Sequence, residues 1–278
     1  MKWNIVTDSG SDLAKEKPSD DIGLSVVPII VMVGETEYID DTNMDILELL
    51  DAMSKEKISL STACPSPHAF FEEYKKADFT ICITITSGLS ATHNSAVLAV
   101  DMLKEEFPDK KVLVIDSKAT ATKMVVIKRK AEKLIREGKT FEEISEILPK
   151  YAEDAGFVFA LGAYDNLVKT GRMSKTAGLL ATTVGIRAVA TASEMGTIEV
   201  IKKPRGEKNA INEMVEYAKI HKKIEDSFVV IGHCNNLEGA MKLKEKVIQE
   251  LNPKEIEITE CSGLNTFYTM QNGLLLGF

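Results

Sequence analysis

Two hydroxyl-rich stretches dominate this chain, Leu60-Ser-Thr-Ala-Cys-Pro-Ser-Pro67 and Thr84-Ile-Thr-Ser-Gly-Leu-Ser-Ala-Thr92. Each precedes a run in which apolar residues recur at helical spacing, and the second follows the apolar, β-branched run 79–83, which predicts a strand. We therefore predict two loops that lead into helices, with Ser87 or Ser90 capping the second helix. Such loops offer hydroxyls and backbone N–H groups to an anion, although ordinary caps and turns have the same composition.

Outward from these loops, strand-like and helical runs alternate through the first half of the chain. The runs 3–7, 79–83 and 112–115 predict buried strands with helices between them, which is typical of a mostly parallel, doubly wound sheet. The long β-rich run 24–33 contains Pro28, which predicts an edge strand or a break into two strands. Further on, Thr140 and Glu143 have the spacing of a capping box.

From residue 157 the pattern changes. Strands are predicted at 157–161, 186–191, 197–201, 228–232, 255–259 and 273–277. The second and third of these join through Glu194-Met-Gly196 as a hairpin, so the sheet they form is mixed. We predict a two-domain α/β protein, with an N-terminal domain at 1–155 and a C-terminal α/β domain at 156–278 whose last strand can return to the domain interface.

Composition excludes several classes of function. A formal net charge of −8 argues against nucleic acid or an anionic membrane surface as the main partner. No apolar run approaches the ~20 residues of a membrane span, so we expect no stable membrane insertion. The four cysteines lack paired spacing, which indicates reduced thiols and a cytoplasmic location. Metal and cofactor fingerprints are absent from the sequence, so we expect no cofactor.

Acidic residues at strand ends keep an enzymatic alternative open. Asp8 and Asp12 follow the first predicted strand, and Asp116 follows a later one. A phosphatase that forms an aspartyl-phosphate places its second acid two residues after the first, whereas the spacing here is four. The main hypothesis is therefore a binding site for a carboxylate or phosphate head group, with the apolar segments 179–184 and 186–189 able to hold an attached tail. A hydrolase or phosphatase acting on a small phosphorylated or carboxylated metabolite is the alternative.

Short strings spread over nearly the whole chain resemble those of the DegV family, in the same order. They are Val6-Thr-Asp-Ser9, Ser61-Thr-Ala-Cys-Pro-Ser-Pro67, Ile85-Thr-Ser-Gly-Leu-Ser-Ala-Thr92, Val114-Ile-Asp-Ser-Lys118, Thr170-Gly-Arg-Met-Ser174 and Arg205-Gly206. The resemblance implies a two-domain α/β protein of the FakB type, which binds a long-chain fatty acid between its domains without catalysis. It also implies a partner, a fatty acid kinase that converts the presented acid to acyl phosphate for phospholipid synthesis. A regulatory lipid-sensing module without a kinase is the third hypothesis.

The resemblance also assigns roles by position. It implies that Thr62 and Ser90 contact the fatty-acid carboxylate, with Ser87 as the fallback in the second loop, and that Arg205 interacts with the kinase. The chain departs from the family pattern near its C-terminus, where alignment from the end places Tyr268 opposite a histidine that contributes to carboxylate binding. Tyr268 therefore either donates its hydroxyl to the carboxylate or packs as an ordinary aromatic residue.

Overall fold

The computed structural model describes residues 2–55, 59–174, 185–221 and 227–278, which form thirteen strands and nine α-helices. The strands are β1 Trp3–Asp8, β2 Gly23–Val27, β3 Ile30–Val33, β4 Thr36–Ile39, β5 Leu60–Ala63, β6 Phe79–Thr84, β7 Lys111–Asp116, β8 Phe157–Ala160, β9 Val189–Ala192, β10 Ile198–Lys202, β11 Phe228–His233, β12 Glu255–Glu260 and β13 Leu274–Gly277. The helices are α1 Ile46–Lys55, α2 Pro67–Tyr74, α3 Thr92–Glu106, α4 Thr122–Arg136, α5 Phe141–Asp154, α6 Asp165–Lys169, α7 Glu207–His221, α8 Leu237–Leu251 and α9 Gly263–Thr269.

The N-terminal half contains a four-stranded parallel sheet in the order β2-β1-β6-β7. Successive side chains of a strand face opposite sides, so Ile5 and Ile81 pack with the core formed by α4 and α5, while Val6 and Cys82 pack with α2 and α3. Helices therefore cover both faces, and the apolar run of β1 is fully buried. The predicted doubly wound parallel sheet is confirmed.

The C-terminal half contains a six-stranded mixed sheet in the order β10-β9-β8-β13-β11-β12. Strands β11 and β12 are parallel and the other neighbours are antiparallel, which confirms the predicted mixed sheet. The last strand, β13, lies at the centre of this sheet between β8 and β11.

Helix α4 lies between the two sheets and contacts β6 on one side and β11 and β13 on the other. Its first seven residues are all buried, including Lys123 and Lys128. The Lys128 ammonium is 2.7 Å from Glu132 and also pairs with Glu16, which compensates the burial of its charge. This one helix contributes to the cores of both halves. The domain boundary near residue 155 stays a prediction.

Pro28 divides the run 24–33 into β2 and β3, and the Thr140 capping box forms as predicted. The stretch from Leu60 was predicted as a loop, which is wrong for its first half. Leu60–Ala63 forms β5, the edge of a three-stranded antiparallel sheet in the order β4-β3-β5. This sheet and α9 had no sequence prediction. Ser87 or Ser90 was predicted as the N-cap of α3, but the N-cap is Ala91, and Ser90 only accepts a hydrogen bond from the N–H of Thr92 at 3.3 Å.

The small, apolar run 175–183 and the tail-holding segment 179–184 lie outside the described residues. The neighbouring run 186–191 becomes strand only from Val189, while Ile186 forms a single antiparallel bridge with Arg205.

Candidate functional site

A cavity lies between the parallel sheet and the mixed sheet. It encloses about 1020 Å³ of empty space, open solvent included. Most of its wall is apolar and comes from both halves, with Ile29 and Ile85 on one side and Phe159, Leu161 and Leu275 on the other. A small set of polar side chains also lines the cavity, and their placement determines what it can bind.

Thr62 and Tyr268 meet at this cavity, with 3.2 Å between the Thr62 Oγ1 and the Tyr268 hydroxyl oxygen. Thr62 is held in β5, where it pairs with Val31. Both side chains are partly buried and line the cavity. The two residues predicted from distant parts of the sequence are therefore brought into direct contact.

The position of Tyr268 depends on how α9 is anchored. The two oxygens of Asp40 accept hydrogen bonds from the first N–H groups of the helix, at Gly263 (2.6 Å) and Leu264 (2.8 Å). Near the other end, the buried Asn166 amide donates to the Phe267 carbonyl oxygen at 2.8 Å. Helix ends have unsatisfied backbone groups, so these side chains fix the short helix and with it the tyrosine.

Ser90 lies on the same cavity and forms a second hydroxyl pair. Its Oγ is 2.8 Å from Thr92 Oγ1 and accepts a hydrogen bond from the Thr92 N–H at 3.3 Å. Ser90 and Ala91 line the cavity directly before α3, whose N-cap residue Ala91 makes no capping hydrogen bond of its own. The positive end of a 15-residue helix therefore lies beside the cavity, where it favours a negative charge.

We refer to Thr62, Ser90 and Tyr268, which line the cavity, as the cavity hydroxyls. Thr92 is buried outside the lining and takes part only as the partner of Ser90. Each hydroxyl carries one hydrogen and two lone pairs. Within each pair one hydrogen is used by the pair itself, which leaves the second hydrogen available to a ligand. The arrangement can thus offer one O–H donor from each side of the cavity to the oxygens of a carboxylate.

Arg172 is a cavity residue that the sequence analysis did not single out. Its Nη1 donates to the Thr170 carbonyl oxygen at 2.7 Å, and its Nε lies 3.4 Å from the Leu89 carbonyl oxygen. A guanidinium has five N–H donors, so these contacts leave capacity for a ligand. It directly follows Gly171, whose φ is +78°, but this sequence pattern does not predict that the arginine faces a cavity.

The turn between β9 and β10 closes one side of the cavity. The Thr86 Oγ1 donates to the Gly196 carbonyl oxygen at 2.9 Å. Gly196 has a φ of +70°, and a Cβ at this position would lie 2.0 Å from Thr86 Oγ1. Only glycine allows this contact between the turn and the loop after β6.

Two predicted site residues lie elsewhere. Ser87 is exposed and outside the cavity lining, and its Oγ donates to Asp116 Oδ2 at 2.5 Å. Arg205 is also exposed and outside the cavity, and its carbonyl oxygen accepts a hydrogen bond from Asn209 at 2.9 Å. The structure therefore brings Thr62, Ser90 and Tyr268 together and places Ser87 and Arg205 on the surface.

Three carboxylates lie outside the cavity lining: Asp8 and Asp40 are buried, and Asp12 is partly buried with its Oδ2 atom inaccessible. We refer to the three together as the buried acids. Asp8 accepts hydrogen bonds from the N–H groups of Gly10 (2.9 Å) and Ile85 (2.7 Å). Asp12 Oδ1 accepts from the Ser262 N–H at 2.7 Å, from the Ser262 hydroxyl and from the Asn265 amide. Asp40 holds the start of α9.

Burial dominates the electrostatics of these acids. It raises the pKa of Asp8 and that of Asp12 from 3.8 to about 7, against the opposing effect of their hydrogen bonds. Burial also raises the pKa of Asp40. Through these hydrogen bonds, Asp8 and Asp12 connect the loop after β1 to the end of β6 and to α9. The acids therefore hold the backbone in place and do not present a reactive group to the cavity.

Residues 2–55, 59–174, 185–221 and 227–278 contain no cluster of three or more His, Cys, Asp or Glu side chains placed to hold a metal ion. All four cysteines are free thiols. None of the helices in these ranges has the length and hydropathy needed to cross a bilayer.

Comparison with known proteins identifies the family. A family model described as an uncharacterised protein of the DegV family matches residues 2–274. The chain belongs to the DegV family. A DegV domain-containing protein of Streptococcus pyogenes serotype M1 is 35% identical over 279 residues, which cover 100% of this chain and 99% of the relative.

Solved structures of DegV-type proteins share the fold. A Fatty Acid Kinase (Fak) B3 protein of Streptococcus pneumoniae, loaded with linoleic acid, superposes with a TM-score of 0.95 at 33% identity and covers 100% of this chain and 99% of its own. A DegV family protein of Eubacterium eligens, loaded with heptadecanoic acid, gives a TM-score of 0.94 at 32% identity, with coverage of 99% and 98%.

Proposed function

We propose that this DegV-family chain binds a long-chain fatty acid in the cavity between its two sheets, without catalysis. The observation that carries the proposal is the contact between Thr62 and Tyr268 on a mostly apolar cavity. A polar site with spare O–H donors beside a mostly apolar wall matches an amphipathic ligand with one small anionic head. The fatty acids bound in the Streptococcus pneumoniae and Eubacterium eligens structures support this class of ligand.

The head group is held by the cavity hydroxyls. The Thr62–Tyr268 pair donates its one spare hydrogen to one carboxylate oxygen, and Ser90 donates to the other. The α3 N-terminus and the Arg172 guanidinium add positive potential on the same cavity, which offsets the cost of bringing a carboxylate out of water. The tail extends along Phe159, Leu161 and Leu275, away from solvent.

The protein presents the bound acid to a fatty acid kinase. Support comes from the Fak name of the Streptococcus pneumoniae neighbour and from the exposed position of Arg205 outside the cavity. An arginine on the surface can contact a partner without touching the lipid. Arg205→Ala should therefore bind fatty acid normally and lose acyl-phosphate formation once a kinase is supplied, whereas loss in both assays would place Arg205 in lipid binding.

The buried acids do not favour the hydrolase alternative, since five of their six oxygens accept hydrogen bonds. Free thiols at all four cysteines support a reducing, cytoplasmic compartment.

Mass spectrometry of an organic extract tests the proposal directly. The natively folded protein, purified without added lipid, should release a long-chain fatty acid in near-equimolar amount. The same protein, stripped of lipid, should rebind that acid in a titration. A protein that releases no acid and binds none, but hydrolyses a phosphate ester, would establish the hydrolase alternative.

A further inference from the structure

A second cavity, of about 1150 Å³ with open solvent included, lies directly behind the first. It is lined by polar and charged side chains such as Glu153, Glu194 and Tyr217. The two cavities share three lining residues, Phe157, Thr191 and Ala192. These three residues therefore form a wall between the proposed lipid site and a polar, partly solvated space.

The wall shares no residue with the proposed head-group site. Of the polar residues assigned to carboxylate binding, Thr62, Ser90, Arg172 and Tyr268 all line the first cavity, and the described lining of the second cavity includes none of them. Phe157 and Phe159 belong to one apolar cluster on the cavity face of β8, with their ring centroids 5.1 Å apart. A tail that starts at the cavity hydroxyls and runs along the apolar wall thus ends against Phe157.

The backbone of this wall is fixed from two sides. The Gly156 N–H donates to the Phe278 carbonyl oxygen at 2.6 Å, and a Cβ on Gly156 would lie 2.0 Å from the Phe278 ring. From the other side, Thr191 Oγ1 donates to the Phe157 carbonyl oxygen at 2.6 Å and lies 3.1 Å from the Tyr217 hydroxyl. These contacts hold the backbone of Phe157 in place, so a shift of the strand cannot carry the buried ring out of the way.

We propose that Phe157, supported by Thr191 and Ala192, is the end wall that limits the length of the bound fatty acid. The inference rests on the proposed function, since it names the substrate range of the same cavity. An acid that is too long must leave methylenes in water or displace the ring. Each methylene that is not buried costs about fourfold in affinity, so the limit shows as a break in the dependence of affinity on chain length.

The test measures dissociation constants for lauric, palmitic, stearic, arachidic and behenic acids with the lipid-stripped full chain. The wild type should gain affinity with length up to a break. In Phe157→Ala the break should move to longer acids, and the first acid beyond the wild-type break should bind about tenfold or more tighter than it does to the wild type. Because loss of a buried ring destabilises a core, Phe157→Leu is measured in parallel and should shift the break in the same direction by less.

Phe159→Ala is the matched control. It removes the same ring from the same face of β8, but Phe159 lines only the first cavity. It should change affinities for all acids and leave the break where it is. If the break is unchanged in folded Phe157→Ala or Phe157→Leu, or if it shifts equally in Phe159→Ala, then Phe157 is not the end wall. Either result leaves the proposal of fatty-acid binding intact. A wild type that binds none of the five acids would overturn the proposed function itself.

Discussion

The cavity hydroxyls and the buried acids are two sets of polar side chains in the same part of the molecule, yet the structure uses them in opposite ways. Thr62 with Tyr268, and Ser90 with Thr92, form pairs that leave donors unused at a cavity. The acids lie deeper, and their oxygens are consumed by backbone N–H groups. The comparison teaches that a polar residue can contact a ligand only where it is accessible and where the protein's own hydrogen bonds leave one of its donors or acceptors unused.

Removing a buried acid should have the largest effect. Asp8→Ala leaves the buried N–H groups of Gly10 and Ile85 without acceptors, and each such group costs about 1–3 kcal/mol. We expect the free energy of unfolding, measured by urea denaturation, to fall by about 2–6 kcal/mol. Asp101→Ala, on the exposed face of α3, is the control and should change little. Equal stability of the two variants would contradict the anchoring role of Asp8.

The next effect concerns pH. The native state keeps protons on Asp8 and Asp12 up to about pH 7, whereas the unfolded chain releases them near pH 4. Protons held only by the native state make the free energy of unfolding fall as pH rises between these values. Asp12→Asn keeps the acceptor at Oδ1 and cannot ionise, so it should reduce this fall by about 1–4 kcal/mol.

Urea denaturation at a series of pH values measures this dependence. The carboxylate atom Asp12 Oδ2 has no hydrogen-bond partner among the described residues, so the amide that replaces it breaks no existing contact. A variant whose stability declines with pH as steeply as the wild type would show that Asp12 is already ionised in the folded protein.

Changes at the cavity hydroxyls should act on affinity instead. Thr62→Val and Tyr268→Phe each remove one hydroxyl at nearly constant shape, and a hydrogen bond to a charged acceptor contributes about 1.5–3 kcal/mol, or roughly ten- to hundredfold in affinity. Isothermal titration with a fatty acid measures the loss. The double variant should lose less than the sum, because each hydroxyl orients the other.

The control comes from the same stretch of sequence. Ser66 caps α2 by accepting from the Ala69 N–H at 3.3 Å and lies outside the cavity lining. Ser66→Ala should therefore cost about 1 kcal/mol of stability and leave affinity unchanged. If Thr62→Val and Tyr268→Phe also bind as tightly as the wild type, the carboxylate is held elsewhere and Tyr268 is a packed aromatic residue.

The smallest effect should follow from Ser87→Ala. Its hydroxyl is bound to Asp116 on the surface, so we expect a loss of about 0.5–1.5 kcal/mol in stability and no change in fatty-acid affinity. Thermal unfolding and titration measure the two quantities on one sample. A tenfold loss of affinity would instead show that Ser87 contacts the fatty acid, as the cavity hydroxyls are proposed to do.

The sequence predicted most of the fold because its strands and helices carry clear periodicity. The alternation of β1 and β6, the break at Pro28 and the Thr140 capping box are all local signals that the structure confirms. β5 was taken for a loop because a four-residue edge strand rich in Ser and Thr has the composition of a turn. α9 was not predicted because it depends on the distant Asp40 and Asn166.

The site was less accessible to sequence reasoning. Thr62, Ser90 and Tyr268 were named by resemblance, and the structure places all three on one cavity, but their contact with a carboxylate stays a prediction. Arg172 and the shared wall at Phe157 could not be found, because which residues face a cavity depends on how two sheets pack. The same limit explains why the surface position of Ser87 was not predicted, because its hydrogen-bond partner Asp116 lies on another strand.

The central position of β13 has a consequence for how the chain is made. β8 and β13 are neighbours in the sheet, yet β9 to β12 all lie between them in sequence. A nascent chain therefore emerges from the ribosome with this sheet split into two groups of strands, and pairing across such a sequence separation is slow. Tyr268 and Leu275 arrive with the same late segment, so a growing chain has no lipid cavity to fill until residue 277 has left the ribosome.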